Sequence, residues 1–184
     1  MVRGSLGRSI EFSKESELNE EYPMYAMPIK EFLKLDKWIP HQDLLASGKL
    51  HKLSEDGSDP VIFLSHQWTA WSAPDPTGAQ LAVMHAAVRH VAATHGWPLE
   101  DVMVWCDYTS IPQSNEACMQ QAISSLSAYA ACAAAFVIVA PELEHADTRG
   151  VCDVATYRRR MWCRAEQLFH TLSNGTSSMW LATG

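Results

Sequence analysis

At 184 residues the chain has the length of one ordinary domain, and its 47% hydrophobic content is enough to bury a core without staples. A formal net charge of -7, from 14 Lys and Arg against 21 Asp and Glu, excludes the clustered positive surface that general nucleic-acid or anionic-membrane binding requires. Five cysteines, an odd number lying mostly in apolar segments, imply reduced thiols and a cytosol-like, cytoplasmic setting rather than a disulfide framework.

Residues 1–21 are polar and weakly periodic, which predicts a flexible lead without the apolar core of a signal peptide. No later apolar run is long and unbroken enough to span a bilayer. After Pro28, Ile29, Phe32 and Leu33 suggest a short helix, and Pro40 to Gly48 suggest a second. Both are too short to persist alone, so residues 1–58 are expected to be a lead followed by a short helical N-terminal extension packed on the main domain at 59–184.

A turn-rich linker at 54–60 gives way to Val61-Ile62-Phe63-Leu64, the continuous apolar run of a strand buried on both faces. Ser65-His66-Gln67-Trp68 follow. Asp75 and Pro76 offer a helix start, with Leu81, Met84, Val88 and Val91 as its buried stripe and Gly96 as its stop. The unit repeats with Val102-Met103-Val104-Trp105, a helix capped by Asn115, and Phe136-Val137-Ile138-Val139-Ala140. Beyond a polar insertion at 142–154 comes a helix around Glu166, then a strand starting at Met179. Strand and helix alternate without a hairpin signal, which predicts an α/β fold with a parallel sheet and helices on both faces.

Ligands of open parallel sheets bind outside the carboxyl ends of the strands. The chain delivers Ser65 and His66 there, then Cys106, Asp107 and Tyr108, then Pro141 and Glu142. Neither a dinucleotide-binding glycine pattern nor a Walker pattern occurs, which argues against ordinary dehydrogenases and P-loop enzymes. In the helix after the insertion, Trp162, Ala165, Phe169 and Leu172 make an apolar stripe with Glu166 at its edge. A carboxylate in that company is either buried with a partner, such as Arg159 or Arg164, or held for chemistry. The run Arg158 to Arg160 with Arg164 is a local basic cluster fit for a single phosphate group at most.

Three other constellations compete. Ser65, His66 and Asp107 form the residue set of a hydrolase triad but lack the nucleophile elbow. Cys163 and His170 pair a thiol with a base but lie two helical turns apart. His145, Cys152, Cys163 and His170 contain zinc-ligand types without a tight Cys-x-x-Cys pair, so no metal is expected.

Phe63-Leu64-Ser65-His66, Val104-Trp105-Cys106-Asp107, Phe136 to Ala140 and Trp162-Cys163-Arg164-Ala165-Glu166 together resemble the successive landmarks of a Toll/interleukin-1 receptor (TIR) domain. The resemblance covers residues 61–184. Ser65-His66-Gln67-Trp68, Ser110-Ile111-Pro112-Gln113 and the Met161 to Glu166 run are similar to a divergent TIR-like set in protists and algae. It implies a flavodoxin-like three-layer α/β/α fold and cleavage of the nicotinamide–ribose bond of NAD, as substrate rather than cofactor, in signalling or defence.

On that resemblance Glu166 is the catalytic carboxylate. Ser65, His66, Asp107 and Tyr108 are candidate substrate contacts, Trp68 and Trp162 candidate stacking partners for nicotinamide or adenine, and Arg159 or Arg164 candidate pyrophosphate contacts. Self-association is the expected partner interaction. Two alternatives stand beside this reading: a non-catalytic TIR-like self-association module, and a nucleoside or nucleotide glycosidase or transferase acting through Glu166.

Overall fold

The computed structural model describes residues 21–53 and 59–184. The expected flexible lead at 1–21, apart from Glu21, and residues 54–58 of the 54–60 linker lie outside the described residues. The described chain is mixed α/β, with a mostly parallel central sheet of six strands ordered β2-β1-β4-β3-β5-β8. The elements in chain order are β1 (Tyr25–Pro28), α1 (Ile29–Phe32), α2 (His41–Ala46), β2 (His51–Lys52), β3 (Val61–His66), α3 (Ala79–His95), β4 (Met103–Cys106) and α4 (Asp107–Ser110). They continue with α5 (Glu116–Ser124), α6 (Leu126–Cys132), β5 (Ala135–Val139), β6 (Leu143–Glu144), β7 (Val151–Cys152), α7 (Val154–Tyr157), α8 (Met161–Asn174) and β8 (Met179–Ala182).

All six residues of β3 are buried, because β3 pairs in parallel with β4 on one side and β5 on the other. Ile62 and Leu64 join Val104, Cys106, Val137 and Val139 in a core closed by α3 and the N-terminal helices. Val61 and Phe63 join Met103, Trp105 and Phe136 beneath α5 and α6 on the opposite face. Helices therefore cover both faces of the sheet. The alternation of side chains along a strand then carries Ser65 and His66, its last two residues, to opposite sides.

Three expectations need correction. The N-terminal extension is not purely helical: Tyr25–Pro28 is a strand, antiparallel to both β4 and β2, so this segment extends the sheet itself. Its two central residues, Ala26 and Met27, are both fully buried, while Pro28, which has no N–H to offer a ladder, ends it. The polar insertion contains a short antiparallel hairpin, β6 with β7. The α3 helix begins at Ala79 rather than at Pro76, since Gly78 adopts φ 73° in a turn; Asp75 still serves that end, accepting the Leu81 N–H at 2.9 Å.

The Asn115 cap forms as expected, its side chain accepting the Cys118 N–H at 3.1 Å. The helix it starts breaks at Ser125, whose hydroxyl accepts the Glu21 and Tyr22 amides and so ties the N-terminal strand region to α5 and α6.

Phe63 lies at the centre of the sheet, stacked on Trp105 at 4.1 Å and on Phe136 at 5.1 Å between ring centroids. Replacing it with alanine empties a fully buried site, and chemical denaturation of Phe63→Ala is expected to show a loss of about 3 to 5 kcal/mol. A loss below about 1 kcal/mol would contradict this account of the core.

Candidate functional site

At the carboxyl ends of β3 and β4 lies a cavity of about 300 Å³. One wall carries His66, Trp68 and Asp107; another carries Arg160, Trp162, Cys163 and Glu166 from the start of α8; Ile111, Gln113, Met119 and Ile123 complete it. The buried residues of α8 are Cys163, Glu166 and His170, which differs from the expected stripe. Trp162 is 48% exposed and Leu172 74%, and Glu166 sits on the buried face rather than at its edge.

The reason is that this face is held by hydrogen bonds more than by apolar contact. Cys163 Sγ approaches His66 O at 3.7 Å, Ser65 Oγ donates to Glu166 Oε2, and His170 meets Ala130 O at 2.9 Å and Ser178 Oγ at 2.8 Å. A count of hydrophobic residues cannot find such a face.

Ser65 is the hinge of the carboxyl's environment. Its hydroxyl lies 2.6 Å from Tyr157 OH and donates to Glu166. Burial raises the Tyr157 pKa, so its phenol keeps its proton and donates to Ser65, giving an ordered relay from Tyr157 to Ser65 to Glu166. Burial also pushes the Glu166 carboxyl up to about 8, against the hydrogen bond from Ser65, with Asp107 adding to the rise and His66 opposing it. Glu166 is thus a largely protonated acid at neutral pH, poised to ionise when positive charge arrives.

On the other side of β3, His66 Nδ1 lies 2.7 Å from Gln80 Oε1 and His66 Nε2 lies 3.0 Å from Asp107 Oδ1. The Gln80 amide is oriented by its own donation to Gln67 O at 2.8 Å, which leaves Oε1 to accept. Both imidazole nitrogens therefore face acceptors, and the ring is a cation. Burial opposes that charge, but the Cys106 sulfur and the Asp107 carboxylate outweigh it and hold the imidazolium well above its usual range.

Burial likewise works to raise the Asp107 pKa, yet the His66 ring, the Trp68 indole at 2.8 Å and the Tyr108 N–H at 2.6 Å keep the carboxylate below its ordinary range. Trp38 stacks parallel to His66 at 5.6 Å, a further contact suited to the cation.

The structure brings Ser65, His66, Trp68, Asp107, Trp162 and Glu166 together at this cavity or directly behind it. Tyr108 stands one step back, edge-on to Trp68 at 5.9 Å. Arg159 and Arg164 do not line the cavity; Arg160, the N-cap residue of α8, does.

The competing constellations lose their geometry. Ser65 Oγ is engaged by Tyr157 and Glu166 rather than by His66, so no triad forms. Burial pushes the Cys163 thiol up to about 12, and His170 is committed to Ala130 and Ser178, which leaves no thiolate–base pair.

Sequence reading missed Gln80, Trp38, Tyr157 and Arg160. Gln80 had a signal, since it shares the face of Met84 and Val88, where a polar residue needs a specific partner. Tyr157 had none, because its bond to Ser65 crosses 92 residues.

Because the folded protein holds the Glu166 proton more tightly than the unfolded chain does, Glu166 lowers stability as pH rises from the ordinary 4.5 to about 8, and no further above that. Glu166→Gln removes this titration while His66, Asp107, Cys163 and Tyr157 remain. Wild type is expected to lose melting temperature relative to Glu166→Gln across that window, and a constant difference from pH 4.5 to 8 would contradict the raised pKa. Comparison with protein-family models, with curated proteins and with solved structures gave no match, so any functional reading rests on the site itself.

Proposed function

We propose that this chain is a TIR-like domain of flavodoxin-like topology that cleaves the nicotinamide–ribose bond of NAD, with Glu166 as its essential carboxylate. The four parallel strands lie in the order β4-β3-β5-β8, second-first-third-fourth along the chain, which supports the flavodoxin-like reading. The observation that carries the reading is Glu166 itself: a buried carboxyl bordering a cavity at the strand ends and hydrogen-bonded to Ser65, with burial pushing it up to about 8.

The chemistry suits a single acid. Nicotinamide leaves as a neutral molecule and needs no proton, so the second carboxyl group of the usual glycosidase pair is dispensable. The approach of the cationic pyridinium favours the Glu166 carboxylate, whose proton leaves to solvent. As the C–N bond breaks, nicotinamide takes the bonding pair and the carboxylate stabilises the positive charge developing at the anomeric carbon. Water, or the adenine ring of the same NAD, then bonds there, with any proton the incoming water carries passing to solvent. The Ser65 hydroxyl, fed by Tyr157, fixes the carboxylate's direction.

A cavity of about 300 Å³ is at the small end for a ligand site, enough for nicotinamide and its ribose, with the adenosine half left outside. Trp68 and the half-exposed Trp162 offer stacking faces, and Arg160 reaches the cavity where the expected Arg159 and Arg164 do not. NAD is substrate here, not cofactor, and the setting is a cytoplasmic signalling or defence pathway. Among the described residues, no helix is long and apolar enough to cross a membrane.

One observation bears on self-association, which the catalytic and non-catalytic readings share. Met161, Leu168 and Leu172 of α8 are 74%, 53% and 74% exposed and recur at helical spacing, an apolar stripe suited to self-association. Catalysis and assembly are separated by incubating the protein with NAD and measuring nicotinamide by chromatography. Wild type is expected to release nicotinamide, at a rate under limiting NAD that rises with pH and levels above about 8. Glu166→Gln and Glu166→Ala are expected to lose about 100- to 1,000-fold. Release surviving both substitutions removes Glu166 from its role, and no release by wild type even at high protein concentration favours the self-association module.

A further inference from the structure

Among the described residues, one group of three metal-ligating side chains converges: His66, Cys106 and Asp107, whose ligand atoms all lie within 4.8 Å of one another. Asp107 Oδ1 is 3.0 Å from His66 Nε2 and 3.6 Å from Cys106 Sγ. A tetrahedral zinc-type ion binds nitrogen and oxygen at about 2.0 to 2.1 Å and sulfur at about 2.3 Å, which sets its ligand atoms roughly 3.3 to 3.6 Å apart. At these two distances the cluster is within a few tenths of an ångström of that arrangement.

The set is built, not accidental to an exposed surface. Cys106 ends a fully buried strand, and the pairing of Leu64 with Cys106 places it beside the His66 end of β3 on the same sheet face. Metal-bound histidines characteristically donate their other ring N–H to a fixed acceptor, and ligating carboxylates are themselves hydrogen-bonded. Here His66 Nδ1 meets Gln80 Oε1, the Gln80 amide is anchored on Gln67 O, and Trp68 Nε1 donates to Asp107 Oδ2. His66 and Asp107 both line the cavity. Three protein ligands with an open fourth position toward a cavity is the pattern of a reactive rather than a closed structural site.

We propose that His66 Nε2, Cys106 Sγ and an oxygen of Asp107 form a binding site for one divalent transition-metal ion of the zinc type, with its fourth position open to the Glu166 cavity. The mixed imidazole, thiolate and carboxylate set selects zinc or cobalt over magnesium or calcium, which prefer oxygen alone. On binding, the ion takes the place of the protons on His66 Nε2 and Cys106 Sγ, and both leave to solvent. The proposal stands apart from the NAD reading. It also reverses the expectation of no metal, which considered only His145, Cys152, Cys163 and His170.

Titrating the chelator-treated protein with Co²⁺ tests it directly. Wild type is expected to bind one Co²⁺ per chain, with a near-ultraviolet thiolate-to-cobalt charge-transfer band and the intense visible bands of tetrahedral cobalt. Cys106→Ser is expected to lose the band, and both Cys106→Ser and Asp107→Asn are expected to lose about 10- to 100-fold in affinity. Cys163→Ser and Glu166→Gln should retain both, which separates this site from the proposed catalytic carboxylate.

Circular dichroism identifies any variant that fails to fold. X-ray absorption of zinc-loaded wild type then decides, with one sulfur and otherwise nitrogen or oxygen neighbours expected. The absence of stoichiometric binding by wild type, a sulfur-free coordination shell, or a charge-transfer band that persists in folded Cys106→Ser would overturn the proposal.

Discussion

A strand buried between two neighbours that ends in two polar residues must find a partner for each, because an unsatisfied polar group inside a protein costs about 1 to 3 kcal/mol and an unpaired charge more. The β3 strand ends in Ser65 and His66, both buried, and the pleat sends them to opposite sides of the sheet. Much of the site follows from this constraint. On one side α7 supplies Tyr157 and α8 supplies Glu166 to Ser65; on the other, α3 supplies Gln80 and the start of α4, directly after β4, supplies Asp107 to His66. Segments up to about a hundred residues apart are positioned by the hydrogen-bonding needs of two adjacent side chains.

The two sides differ in charge. His66 and Asp107 form a partly buried ion pair, its imidazole also held by Gln80 and its carboxylate by Trp68, the Tyr108 amide and the Cys106 thiol. Pairs of that kind persist only when so supported. Among the described residues Glu166 meets no cation and accepts a single hydroxyl, and burial pushes its carboxyl up to about 8. The cavity thus has a neutral acid ready to become an anion beside an ion pair that is already balanced, an arrangement that favours a positively charged ligand.

The elements with strong periodicity were legible in the sequence. The apolar runs at 61–64, 102–105 and 136–140 marked three of the parallel strands, and Asn115 marked a cap. The β1 strand was not legible, since four residues ending in proline carry almost no pattern and owe their conformation to pairing with β4. The buried face of α8 was misread because its residues are Cys163, Glu166 and His170, satisfied by hydrogen bonds that sequence cannot display. Arg160 was passed over for its neighbours because the helix start, which fixes the direction of each arginine, depends on the α7 turn before it. Cys106 and His66 are forty residues apart in the chain and meet only through strand register.

Burial pushes the Glu166 carboxyl up to about 8, and on the proposed function a cationic ligand would bring it to its charged form. Carbon-13 NMR of protein labelled at glutamate carboxyl groups, with Glu166→Gln to assign the resonance, measures this directly. The account predicts a Glu166 carboxyl that titrates near 8 in the free protein and at lower pH with NAD bound. A carboxyl that titrates in the ordinary glutamate range, or whose midpoint is unmoved by NAD, would contradict it.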